Sequence, residues 1–156
     1  MHSICAIFRF LSKTLCIRIY RVLNCEKNEM SKEIVKSENA PAPIGPYSQA
    51  VKVGNILFVS GQIALNPLTG EMENADLVTE TTQVMKNIGA ILAEAGYEWE
   101  EVAKSSIFLK DLNDFGAVNT LYGDYFNINP PARETVQVAR LPKDARVEIS
   151  VIAVKS

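Results

Sequence analysis

The sequence predicts an α+β domain in which two helices cover one face of a mixed β-sheet, in the chain order β-β-α-β-α-β-β. Three observations carry this expectation. Short β-prone runs, bounded by Gly, Pro and Asn, stand at both ends of the domain. Two central stretches switch to the 3.6-residue apolar period of a helix. The length of 156 residues suits one core of this size.

Each element follows in order. Residues 39–47 (NAPAPIGPY) hold three prolines and a glycine, which favours an ordered, extended arm over a helix. Residues 49–53 and 56–60 flank Gly54-Asn55 and read as a hairpin. Residues 66–70 (NPLTG) are a second turn. Over residues 76–95, Val84, Ile88, Ile91, Leu92 and Ala95 recur at helical spacing, and Glu80, Lys86 and Glu94 are assigned to the solvent face. Gly96 stands just past the helix end. Residues 102–110 read as a strand. Residues 111–114 are a polar turn that caps a second helix over 115–126, with Phe115, Val118, Leu121, Tyr122 and Tyr125 as its apolar side. Pro130-Pro131 stops that helix. Residues 135–138 and 146–154 are the last strands, separated by residues 141–144 (LPKD). The final strand, VEISVIAV, is apolar at nearly every position, so both of its faces favour burial. One layer of helices covers one face only, and an oligomer that buries the other is expected.

Charge and cysteine are unevenly distributed. Residues 1–29 carry Arg9, Lys13, Arg18, Arg21 and Lys27 against Glu26 and Glu29, whereas residues 30–156 hold 11 basic and 16 acidic side chains, a net charge of −5. An acidic domain is a poor match for a nucleic-acid backbone. Cys5, Cys16, Cys25 and His2 all lie in the first 29 residues, without the paired spacing of a zinc site or a disulfide framework. Residues 1–29 are expected to be an N-terminal extension, either an over-annotated start preceding Met30, a targeting segment or a functional addition. The domain at 30–156 is expected to be cytoplasmic, or mitochondrial if the extension is a presequence. No stretch reaches the ~18 apolar residues of a membrane helix.

Without histidine or cysteine, the domain's chemistry rests on arginine, carboxylates, hydroxyls, amides and water. There is no glycine-rich phosphate loop, and Ser48 and Ser60 have no histidine to activate them. Arg133 follows a stiff Pro-Pro-Ala approach and offers a planar fork for a carboxylate; its plainer reading is a surface salt bridge. Glu148, inside the most apolar strand, is either solvated or a buried carboxylate with a raised pKa. Tyr47 reads as a packing aromatic or a site wall, and Asn119 as a surface residue or a ligand contact.

Taken together, these residues resemble the RidA family of reactive enamine/imine deaminases. The resemblance is carried by ENAPAPIGPYSQAV (38–51), FVSGQIALNPLTGE (58–71), FLKDLNDFGAVN (108–119) and PPARETVQVARLPKDARVEISVIAV (130–154). It covers the domain and none of the first 29 residues. It implies a chorismate-mutase-like subunit, a homotrimer with sites between subunits, and no cofactor. It also implies hydrolysis of 2-iminobutanoate and 2-iminopropanoate to 2-oxo acids and ammonia. By the same resemblance Arg133 grips the substrate carboxylate and Glu148 positions the attacking water. Tyr47, Ser60, Gly61, Asn119 and Thr135 line or frame the cleft. Many relatives have cysteine where this chain has Thr135, which puts the cleft's shape and substrate range in question. A different enzyme of this fold, a non-catalytic small-molecule or holdase-type binding protein, and an endoribonuclease are the alternatives.

Overall fold

A computed structural model describes residues 31–126 and 128–156. The expectations for residues 1–29 lie outside the described residues. Six strands form one sheet: β1 (Lys32–Val35), β2 (Ala50–Val53), β3 (Ile56–Gln62), β4 (Val102–Leu109), β5 (Ala132–Gln137) and β6 (Val147–Val154). Their spatial order is β1-β2-β3-β6-β4-β5. Every neighbouring pair is antiparallel except β4 and β5, which run parallel. A parallel pair requires a crossover, and α2 (Phe115–Gly123) supplies it. The other helix, α1 (Leu77–Glu94), connects β3 to β4.

The α+β class stands, with one strand more than the sequence reading found. β1 is a four-residue edge strand with three exposed residues, so it carries no burial pattern from which to recognise it. The hairpin forms as expected, Val53 facing Ile56 around Gly54, whose φ of 60° suits a residue without Cβ. Asp76 caps α1 by accepting from the Thr79 amide at 2.7 Å, and Gly96 leaves the helix at φ 74°. The second helix is shorter than the expected 115–126 and ends at Gly123.

Glu80 is the clearest correction, because it is fully buried rather than solvated. It lies four and eight residues before Val84 and Ile88, on the same helical stripe, and its charge masked that position. Its carboxylate accepts from the Arg146 amide at 2.6 Å and pairs with Arg146 Nε at 2.9 Å. That contact ties the first turn of α1 to the residue preceding β6.

Alternation divides the sheet into two faces. Val147, Ile149, Val151 and Ala153 of β6 are buried in one core with Val84, Ile88 and Ile91 of α1. Burying each such side chain is worth about 1.5–3 kcal/mol. On the opposite face Ile34, Phe58, Val136 and Val154 remain 37–54% exposed. No element of this chain covers them among the described residues. No described helix is long and apolar enough to cross a membrane.

Candidate functional site

The expected site residues fall into two groups. The first surrounds a cavity of about 340 Å³ whose lining includes Pro41, Ile44, Tyr47, Ser60, Gly61 and Glu148. The proline arm forms one wall, and buried Gln49 holds it there. Its side-chain amide donates to the carbonyls of Ser37, Ala40 and Pro41 at 2.8–3.0 Å, and its oxygen accepts from the Ser37 amide at 2.7 Å. Within the arm, the Ile44 amide donates to the Tyr47 hydroxyl at 3.3 Å.

Ser60 and Gly61 lie where the β3–β6 register shifts, between Val59 and Gln62. Such an irregularity re-aims side chains at a strand end. The Ser60 hydroxyl donates to the Ser48 carbonyl at 2.7 Å, which ties this stretch to the arm. Gly61 has a steric role. A Cβ there would stand 2.8 Å from Glu148 Cδ, closer than carbon atoms approach. Only a bare backbone lets the carboxylate lie against β3. Burial pushes the Glu148 carboxyl up from the ordinary glutamate value. Among the described residues no cation pairs with it. The opposite wall includes Ile63 and Leu65, whose carbonyls accept from buried Asn87 of α1 at 3.1 and 2.9 Å.

The second group is on β5 and α2. Arg133 Nη2 donates to Asn119 Oδ1 at 2.8 Å. Its guanidinium carbon lies 4.9 Å from the Tyr122 ring centroid and 5.7 Å from that of Phe115. Arg133 has no carboxylate partner among the described residues, so the plain salt-bridge reading does not describe it. Thr135 is on the same face of β5, and its buried Oγ1 has no hydrogen-bond partner.

These groups do not meet within one chain. Arg133 is in register with Ser105, and Ser105 with Val151, all on the helix-covered face. Glu148 is in register with Phe108, and Phe108 with Val136, on the open face. Two strand spacings and three residues along the strand separate the two positions, about 10 Å in each direction. Tyr47, Ser60, Gly61 and Glu148 thus lie together at the cavity; Arg133, Asn119 and Thr135 lie together on the other side. Sequence reasoning missed Gln49, Glu80 and Asn87, which hold the frame. The last two had a legible signal, a polar residue within the buried stripe of a helix.

Fold and geometry together define a small α+β subunit with a half-buried carboxylate at an apolar cavity on one side of its sheet and an arginine held by Asn119 on the other. The chain belongs to the endoribonuclease L-PSP family, whose model matches residues 37–155. Its relatives bear RutC and Rid names, in keeping with the resemblance to RidA proteins. It is 52% identical over 124 residues to a RutC family protein of Pyrococcus horikoshii, covering 80% of this chain and 98% of that one. The Rid-family protein YyfA of Yersinia pestis has a similar structure, with a TM-score of 0.78 and 46% identity over 80% of this chain and all of that one. The crystal structure of E. coli TdcF with bound serine gives a TM-score of 0.76 and 42% identity, over 80% and 99% of the two chains.

Proposed function

We propose that this protein hydrolyses short 2-imino acids, such as 2-iminobutanoate and 2-iminopropanoate, to 2-oxo acids and ammonia. One observation carries the reading: among the described residues Glu148 is an unpaired, half-buried carboxylate at an apolar pocket, and Arg133 is an arginine fork without a carboxylate of its own. The two meet when copies of the chain associate as the homotrimer that the RidA resemblance implies, with Arg133 of one subunit facing Glu148 of the next. The exposed apolar side chains on the open sheet face favour such association. That a relative was crystallised with serine supports the substrate class, because an amino acid and a 2-imino acid share the carboxylate and the adjacent nitrogen-bearing carbon.

In this reading Arg133 holds the substrate carboxylate by two parallel hydrogen bonds. Glu148 takes a proton from a water whose oxygen adds to the imine carbon. The resulting carbinolamine receives a proton on nitrogen and expels ammonia, while its hydroxyl proton leaves as the C=O bond forms. Imines are already electrophilic, so neither a covalent nucleophile nor a cofactor is required.

The test couples an amino-acid dehydratase, which generates the imine, to timed release of the 2-oxo acid. The protein should accelerate release, and Arg133→Ala should abolish the acceleration. Wild-type rates from Arg133→Ala would overturn the assignment. The family model's endoribonuclease name supplies a control: ribonuclease activity that survived repurification and vanished with Arg133→Ala would favour the RNA reading instead.

A further inference from the structure

The environment of Arg133 contains a closed circuit. On β5, Arg133 is in register with Ser105 of β4. Ser105 is completely buried and accepts from the Tyr122 hydroxyl at 2.8 Å. Tyr122, on α2, returns to the start, its ring lying 4.9 Å from the Arg133 guanidinium carbon. Backbone ladder, hydrogen bond and ring face therefore close around one side chain. Phe115, Asn119 and Tyr122 follow each other at i, i+4 and i+7, so the whole cradle is one stripe of α2.

The Ser105–Tyr122 bond has no evident role in covering the core. Each hydroxyl is buried and finds its partner in the other, and two apolar side chains would fill that space without a hydrogen bond. What the bond adds is direction. A phenylalanine ring at 122 would be held by packing alone, such as that against Phe126, whereas the tyrosine is also fixed in direction by its bond to β4. Burial also pushes the Tyr122 phenol further up from its ordinary value, well clear of neutral pH, at which even an unperturbed phenol is an O–H donor.

We infer that Tyr122 and Ser105 form a positioning pair that sets the plane of the Arg133 fork for carboxylate capture. Neither residue touches substrate; both act through the guanidinium. The inference rests on reading Arg133 as the carboxylate-binding group. An untethered ring leaves the charge in place and blurs its angle, and angle is what two parallel hydrogen bonds demand.

The experiment has a binding arm and a spectroscopic arm. Calorimetry with 2-oxobutanoate compares wild type, Tyr122→Phe, Ser105→Ala and Arg133→Ala, and each of the first two changes on the Arg133→Ala background. Tyr122→Phe should weaken binding on the order of 3- to 10-fold, the equivalent of one lost hydrogen bond, and Ser105→Ala should match it. Neither should have any effect once Arg133 is alanine. In the spectroscopic arm, the 15N–1H resonance of Arg133 Nε, assigned by its loss in Arg133→Lys, should show the ring-current shift of Tyr122. Tyr122→Leu should remove that shift, and Tyr122→Phe should reduce it. Equal weakening on both backgrounds would mean a general structural effect and overturn the inference; so would an unmoved Arg133 resonance. Thermal melts identify any variant that fails to fold, and the Ser105→Ala arm then decides. If the wild-type chain binds 2-oxobutanoate but does not hydrolyse imines, the functional reading falls and the positioning pair stands on both arms. If it does not bind 2-oxobutanoate, the carboxylate reading falls, and the inference with it.

Discussion

Arg133 and Glu148 stand on opposite faces of the same sheet, two strands apart, Arg133 under α2 and Glu148 beside the proline arm. No side-chain rotation brings them together within one chain, so any site that uses both draws them from different copies.

Subunit mixing tests this arrangement. Arg133→Ala and Glu148→Gln should each retain at most about a hundredth of the wild-type activity alone. Unfolded together in equal amounts and refolded, they should regain roughly a quarter of the wild-type activity, the share of random interfaces that pair an intact Arg133 with an intact Glu148. A site within one chain would regain nothing.

A side chain at Gly61 is expected to push the Glu148 carboxylate out of its place against β3. Gly61→Ala places its Cβ against the carboxylate. The carboxylate, at the end of a flexible side chain, should swing aside, so the change should lower kcat/KM while costing less than about 1 kcal/mol of stability, below the usual cost of overpacking a rigid core. Adding Glu148→Ala should recover that small loss of stability without restoring activity. A Gly61→Ala protein with wild-type turnover would contradict the packing described.

The raised pKa of Glu148 has two consequences of definite sign. As a base the carboxylate must be ionised, so turnover should fall in acid as it protonates, and Glu148→Gln should lower kcat by about 100-fold and remove that step. For the stability of the single chain, before a neighbour's Arg133 faces the carboxyl, the direction is reversed. Folding favours the protonated carboxyl, so an ionised Glu148 penalises the fold at neutral pH, and the penalty fades as pH falls through the raised value toward the ordinary glutamate range. As a single chain, Glu148→Gln should therefore melt above wild type at pH 7, with the gap closing in acid. A gap that widened in acid would contradict the assignment.

Glu80 is expected to matter for stability rather than chemistry. Glu80→Ala removes the partner of the Arg146 amide and of its Nε, while Nη2 keeps its bond to the Asn74 carbonyl. It should destabilise by about 1–3 kcal/mol, the cost of leaving the Arg146 amide unpaired, since the guanidinium is about one-third exposed and solvated. Chemical denaturation measures this directly. A loss below 1 kcal/mol would show that the pair is not what ties α1 to β6.

By itself the sequence determined the α+β class, the hairpin at Gly54-Asn55, both helices and the chemistry open to a domain without histidine or cysteine. These are local properties: apolar period, turn residues and composition act over a few neighbouring positions. The strand of VEISVIAV likewise announced two faces that favour burial, and the fold leaves one of them open. Tertiary structure alone decided three matters. It brought Lys32–Val35 to the sheet edge, where pairing with β2 rather than any pattern of its own makes it a strand. It buried Glu80, because Arg146, 66 residues away, supplies the compensating charge. And it separated Arg133 from Glu148. Side-chain period tells which residues of one strand share a face; only the ladder register between strands tells which residues of different strands do.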